Sequence, residues 1–394
     1  MEIDALRRVL LDRAEATGRL PHAREILGRL VRPRLSGSTG WAETRRILCE
    51  RFADLGYESH LKPFSISPSP GRFVLPAIGL ALLLSSAFGR VSLEVGNRGA
   101  AVAGLVLGGL LVWMLAAGTA RATDRWRIRR MDLANLWFQV PDVRPRWLLV
   151  AHFDSKSQFV PLALRAFAVA SAGAGWGGLL ILALLGGRVA QASMLLDVLG
   201  VIVTLAGAAL LLSGAGNRSP GALDNASGVA TLLGVAARER DSRDIAFLAT
   251  DAEELGLAGA RAIARELEPL EGVINIDGID DAGPFHILEG FGLQRGGYSP
   301  HLAMALLLAA RALGVSARRR DVPPGLLVDH MAFLRAGFPA LTLMRGTLRS
   351  MTRVHRPHDD LHHLRGDGIG EAVSLVCAAL HVLRTEDGRR ELPA

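Results

Sequence analysis

Four apolar stretches of nearly membrane-spanning length interrupt this chain, and they constrain its fold more than any other feature. They run over 73–89 (FVLPAIGLALLLSSAFG), 100–119 (AAVAGLVLGGLLVWMLAAGT), 164–186 (LRAFAVASAGAGWGGLLILALLG) and 193–215 (SMLLDVLGVIVTLAGAALLLSGA). Each approaches the ~20 apolar residues that cross ~30 Å of hydrocarbon, the first being the shortest. None carries the polar face of a helix lying on a soluble core, and Gly and Ala recur in all four, as where helices pack closely in lipid. Arg165, near the start of the third, is placed to snorkel to the interface. The stretches pair into two hairpins, joined by RVSLEVGNRG and GRVAQA. A hairpin enters and leaves on one side of a membrane. Two of them therefore fit inside one globular domain without dividing it. The expected organisation is a domain built from 1–72, 121–160 and 217–394, with hairpins inserted at 73–120 and 161–216.

Outside the hairpins, helical and strand patterns alternate. WAETRRILCERFADLG repeats apolar residues at three- and four-residue spacing, and Gly56 ends it. YESHLKPF, NLWFQV and RWLLVA read as strands. The helix ASGVATLLGVAARER, the strand DIAFLAT, the helix LAGARAIARELE and the strand EGVINID follow the second hairpin. PFHILE, the helix HLAMALLLAARALG, the strand PALTLM and the helix GIGEAVSLVCAALHVLR complete the pattern. Short apolar strands alternating with helices predict an α/β fold: a three-layer α/β/α sandwich with a mostly parallel mixed sheet, plus four inserted transmembrane helices.

Composition excludes several classes. The formal net charge is +7 and the pI about 10.4, but Lys62 and Lys156 are the only lysines, the arginines are scattered, and aromatics make up 5%. No basic stripe is interleaved with stacking residues, which argues against nucleic-acid binding. Cys49 and Cys377 are too few and too far apart for a disulfide framework or a thiolate zinc site. The opening MEIDALRRVLLDRAEATGR is charged throughout and lacks an apolar h-region, so no cleavable signal peptide is expected.

In open α/β sheets, ligands gather at the carboxyl ends of strands. Those ends carry His152 and Asp154 after RWLLVA, Asp251, Glu253 and Glu254 after AFLAT, and Asp277 in GVINID. Asp224 is expected to open the helix after GAL, and His355 follows PALTLM. A polar residue at one strand end is usually a cap or a turn former. Their coincidence at so many strand ends is harder to assign that way. Imidazole and carboxylate without thiolate suit zinc, cobalt or manganese in a hydrolytic site. Two histidines and three carboxylates suffice for two ions if one carboxylate bridges.

AHFDSKS, GALDNASGVA, ATDAEELGLAGA, INIDG and HRPHDDL resemble, in order, the motifs of the M28 zinc peptidases, a family largely of aminopeptidases. LSGSTGWAETRRILCERFADLGYE resembles that family's entry helix, and DHMAFLRAGFPALTLM its late segment. The resemblance covers nearly everything except the apolar stretches. It implies that His152 and Asp277 share one zinc, Glu254 and His355 hold a second, and Asp224 bridges the two. Asp154 would fix the tautomer of His152. Glu253 would act as general base on the attacking water and return the proton to the leaving amine. Asp329, His330, Arg356 and Asp359 are candidates for contacts around the ligands or on the substrate side. His358, His362 and His363 read as a solvated cluster. Arg356 departs from the family, which places a small hydroxyl residue there. No tyrosine precedes Asp329 and His330 in PPGLLVDH, and Tyr298 is remote in sequence, so no oxyanion donor is assigned.

The resemblance implies a membrane-anchored dinuclear aminopeptidase acting on peptides. Two alternatives are a glutaminyl-cyclase-like transferase using one zinc and a non-catalytic receptor or scaffold on the same fold. The second hairpin begins soon after Asp154 and ends shortly before Asp224, which would suit delivery of greasy peptides from the bilayer. The segment leaving the first hairpin holds Arg121, Arg125, Arg127, Arg129 and Arg130, whereas the opposite turns hold Arg90, Arg98 and Arg188. That bias predicts a multi-pass protein of a bacterial-type plasma membrane with its globular domain in the cytoplasm.

Overall fold

A computed structural model describes residues 23–185, 193–290, 299–323 and 325–385. The opening nineteen-residue segment, the turn GRVAQA, Arg188 and Tyr298 lie outside the described residues. The chain forms two compact units. One comprises Met1–Ile66, Met131–Lys156 and Asn217–Ala394, and the other Ser67–Arg130 and Ser157–Gly216.

The first unit is built on an eight-stranded mixed sheet. Its strands are β1 (Glu58–Ile66), β2 (Met131–Gln139), β3 (Trp147–His152), β4 (Ile245–Thr250), β5 (Gly272–Ile279), β6 (Phe285–Glu289), β7 (Ala317–Asp321) and β8 (Ala340–Arg345). The order across the sheet is β1-β2-β4-β3-β5-β8-β6-β7. The central four, β4, β3, β5 and β8, are mutually parallel, so their carboxyl ends share one edge. Antiparallel pairing of β2 with β4 and of β6 with β8 makes the sheet mixed.

Alternation along these strands sends successive side chains to opposite layers. Leu149, Ala151, Phe247, Ile274, Leu341 and Leu343 share a core with residues of helices Ser227–Arg238, Pro300–Leu313 and Asp367–Arg384. Leu148, Val150, Ala246, Leu248 and Val273 pack instead with Ala260, Ile263, Ala332 and Phe333. Both faces are buried, which is why these strands read as continuous apolar runs. The α/β sandwich is thus formed as predicted.

Helix Thr39–Asp54 starts where the Ser38 side chain accepts from Trp41 N. It stops before Gly56, whose φ of +88° a side-chain-bearing residue rarely adopts. Three local readings differ. Strand β7, ARRRD, carries no apolar alternation because it is an exposed edge strand pairing only with β6. The helix expected over LAGARAIARELE is regular only across Ala258–Ile263. Asp224 does not open a helix. It lies in an irregular turn over Ala222–Ala226 with non-helical φ/ψ, and the helix begins at Ser227.

Among the described residues the second unit contains four helices long and apolar enough to cross a membrane: Pro68–Glu94, Arg98–Arg125, Leu162–Leu185 and Ser193–Leu211. The first two are longer than the apolar stretches that mark them, leaving only 95–97 between them. Pro68–Glu94 crosses Ser193–Leu211 at two glycines. A Cβ on Gly79 would lie 2.5 Å from the Gly207 carbonyl oxygen, so only glycine permits this approach. The Arg90 guanidinium, 2.7 Å from Asp197, ties the same two helices together.

Candidate metal centre

Ligand-type side chains converge at the carboxyl edge of the four parallel strands. His152 ends β3, Asp277 lies on β5, and register places Val150 opposite Asn275, so the two ligands fall level with each other. Glu253 and Glu254 form a tight turn just after β4, and His355 follows β8. His152 Nε2 lies 3.2 Å from Asp224 Oδ1 and 3.6 Å from Asp277 Oδ1. His355 Nε2 lies 3.0 Å from Asp224 Oδ2 and 3.3 Å from Glu254 Oε2. The side chains thus form two groups, His152–Asp224–Asp277 and Asp224–Glu254–His355, each with its donor atoms within 4.8 Å of one another. Asp224 belongs to both, one oxygen turned to each.

The surroundings hold these groups in place. Asp154 is fully buried, and its carboxylate accepts from Glu253 N and Glu254 N, each at 3.2 Å, so it fixes the turn that presents both glutamates. The His152 Nδ1 position lies 3.2 Å from the Asp154 carbonyl oxygen and 3.5 Å from its carboxylate. The backbone of Asp154 is therefore the nearer partner of that ring. Asp359 accepts from Leu223 N at 2.7 Å and Asp224 N at 3.0 Å, fixing the irregular turn. Its burial, with the Asp224 charge adding to it, pushes its carboxyl up to about 7.

The remaining candidates stand further out. Asp329 is buried and accepts from Thr250 Oγ1. His330 is also buried, with Nδ1 2.6 Å from Thr342 Oγ1 and Nε2 3.0 Å from the Gly290 carbonyl. Burial lowers its pKa to about 4, so it is neutral near pH 7. Arg356 sits half-buried in the His355 loop, its N–H donating to Arg353 O. His363 pairs with Asp360 at 2.8 Å on an exposed loop.

Four residues without an assigned role in the sequence prove central. Ser36 Oγ and Trp41 Nε1 donate to Asp251 at 2.7 and 2.9 Å. Burial, reinforced by the Asp154 charge, pushes Asp251 up to about 8. Lys156 Nζ lies 2.6 Å from Glu254 Oε2, and Lys156 N donates to Glu254 Oε1 at 3.0 Å. A lysine in a chain with only two was the available signal. Arg34, 1% exposed, donates from Nε to Phe153 O and from Nη2 to Gly221 O, each at 2.8 Å, and from Nη1 to Pro220 O. It staples the loop after β3 to the Asp224 turn. Burial pulls its pKa down to about 10, against the charges of Asp359, Asp224, Asp154 and Glu254. Arg34→Met leaves several buried carbonyls unmet and is expected to cost about 3–5 kcal/mol. Lysine cannot span the same carbonyls, so Arg34→Lys recovers less than half of that loss in thermal melts. A wild-type melting temperature in Arg34→Met would refute the staple.

The charge balance of the site is lopsided. Burial pushes Glu253 well above the usual carboxylate range, opposed by the His152 charge and reinforced by those of Glu254, Asp329 and Asp277. Against the same burial, hydrogen bonds from His152 and His355 hold Asp224 well below that range. Five carboxylates, Asp154, Asp224, Glu253, Glu254 and Asp277, crowd a space reached by the charges of Lys156 and Arg34. Such a concentration of buried negative charge calls for further cations. Two imidazoles with hard carboxylate oxygens and no thiolate are a donor set that fits zinc.

Comparison with known proteins gives the family and the fold. Residues 140–380, more than half of the chain, match the model of Peptidase family M28. No curated protein matches. Among solved structures, the fold is similar to the zinc aminopeptidase of Bacillus subtilis, with a TM-score of 0.54 at 14% identity over 93% of this chain and 95% of that one. It is similar also to the aminopeptidase of Aneurinibacillus sp. strain AM-1, with a TM-score of 0.53 at 15% identity over 91% of this chain and 92% of that one. The glutaminyl cyclase of Porphyromonas gingivalis scores 0.55 at 15% identity over 91% of this chain and 96% of that one. At such identities the likeness speaks for the fold alone. The motifs, their convergence at one sheet edge and the match over residues 140–380 give one conclusion: the chain belongs to peptidase family M28.

Proposed function

We propose that this protein is a membrane-anchored dinuclear zinc aminopeptidase that hydrolyses N-terminal residues from peptides. The family and the fold support a zinc peptidase or a glutaminyl-cyclase-like activity. One observation favours the dinuclear peptidase: the two oxygens of Asp224 face two separate ligand groups, each completed by a histidine and a second carboxylate. A single-metal site needs only one of them.

In this reading His152 and Asp277 would hold one zinc, Glu254 and His355 would hold the other, and Asp224 would serve both. Zinc bound there supplies Lewis-acid activation of water and of the scissile carbonyl. Glu253, buried beside the two ligand groups and not a member of either, takes a proton from the attacking water and passes it to the leaving amine. Asp154 holds Glu253 in register through its backbone amide, and Asp359 does the same for Asp224. Arg356, half-buried beside His355, is the candidate on the substrate side, whereas the buried Asp329 and His330 support the strand ends through Thr250 and Thr342. Manganese or cobalt could replace zinc in such a donor set.

The four long apolar helices support anchoring in a bilayer, with the peptidase unit on the cytoplasmic face. Arg121, Arg125, Arg127, Arg129 and Arg130 cluster where the first hairpin ends, whereas Arg90 at the opposite end is paired with Asp197. A cytoplasm-only fluorescent reporter fused after Ala394 should shine and alkaline phosphatase there should stay inactive; the reverse pattern puts the peptidase unit outside.

Purified in detergent, the full chain is expected to bind two zinc ions and to release N-terminal residues from a mixed peptide library. One zinc per chain, with cyclisation of N-terminal glutamine and no residue release, would transfer the protein to the cyclase reading. Zinc-loaded protein that does neither would leave the fold as a non-catalytic scaffold.

A further inference from the structure

Glu254 is gripped by one residue at both of its oxygens. The Lys156 backbone N–H donates to Oε1 at 3.0 Å, and the Lys156 ammonium lies 2.6 Å from Oε2. His355 Nε2, the other donor of that group, is 3.3 Å from the same Oε2. Glu254 is buried, and the Lys156 side chain is only 18% exposed, so water screens this charge weakly. Asp277, which completes the other group, has no lysine or arginine among the ion pairs of the described residues; it pairs with His152 at 3.6 Å. The two groups share Asp224 and each has one histidine and one further carboxylate. They differ in the ammonium.

We propose that Lys156 is a positioning residue that makes the two metal positions unequal, so that the Asp224–Glu254–His355 group binds its ion more weakly than the His152–Asp224–Asp277 group. The inference rests on the dinuclear reading. Lys156 acts in two opposing ways. Its backbone amide orients Glu254, which favours an ion. Its ammonium occupies the oxygen nearest His355 and repels a divalent cation there, which opposes one. The two parts separate cleanly, because a substitution of the side chain leaves the amide in place. Removing the ammonium therefore strengthens the weaker position. A weak position would let the second ion, and with it full activity, follow metal supply.

Zinc content of the full chain in detergent, measured against free zinc set by a graded chelator, tests this without reference to activity. The wild type is expected to fill in two steps separated by at least tenfold in free zinc. Lys156→Met keeps most of the side-chain length and the amide but removes the charge, and should bring the steps to within about threefold by moving the second. Lys156→Arg keeps the charge and should retain the wild-type gap. A wild type that fills in one step with two ions, a Lys156→Met gap equal to the wild type's, or a gap lost in both variants overturns the proposal while leaving the dinuclear reading intact. One ion in the wild type and in both variants overturns that reading and the proposal with it. One ion in the wild type and two in Lys156→Met supports the proposal in its strongest form.

Discussion

Glu253→Gln is expected to lower kcat for N-terminal hydrolysis by about a hundred- to ten-thousandfold, the range over which a positioned general base acts. Bound zinc should stay at the wild-type level. The substitution is nearly isosteric and the backbone amide that Asp154 holds is untouched, so the turn over Glu253–Leu255 keeps its shape. Glutamine can still donate and accept hydrogen bonds but cannot take up a proton. KM should therefore change little while kcat collapses. Cleavage at more than a tenth of the wild-type rate, with metal retained, would remove Glu253 from the role of base.

Asp224→Ala is expected to have the broadest effect of any single substitution, because this carboxylate turns one oxygen to each ligand group. Groups that merely support a ligand change metal affinity by about ten- to a hundredfold. Loss of a shared ligand should exceed that at both positions and abolish cleavage at ordinary zinc concentrations. Asp277→Ala and His355→Ala serve as comparisons, each expected to weaken one step of the zinc isotherm and spare the other. If Asp224→Ala weakens only one step, the carboxylate does not bridge, and the two groups bind independently.

Much of this was legible before any coordinates. Six of the eight strands, β2 to β6 and β8, carry apolar runs, because strands buried within the sandwich must be largely apolar. The two edge strands, β1 and β7, are largely exposed; the arginines of β7 face solvent, and no hydrophobic period marks it. The four long helices announced themselves by length and composition alone. Their ends did not, since polar residues can continue a helix beyond its apolar run. The residues offered as ligands are widely spaced in sequence, and only their position at strand ends and their motifs linked them.

The supporting groups were beyond such reading. Arg34 lies 119 residues from Phe153 and 187 from Gly221, and Lys156 lies 98 from Glu254. Hydrogen bonds of that reach leave no periodicity and no fixed spacing. A buried arginine also looks like any other arginine in a chain rich in them. The sequence by itself determined the α/β class, the four long apolar helices and the set of side chains suited to metal, because hydrophobic pattern and donor chemistry are local properties. Tertiary structure alone decided that Asp224 faces both histidines, that Asp154 braces the glutamate turn through two amides, and that an ammonium sits on one ligand group and not the other. Those are relations between segments far apart in the chain, fixed only when the parallel strands bring their carboxyl ends to one edge.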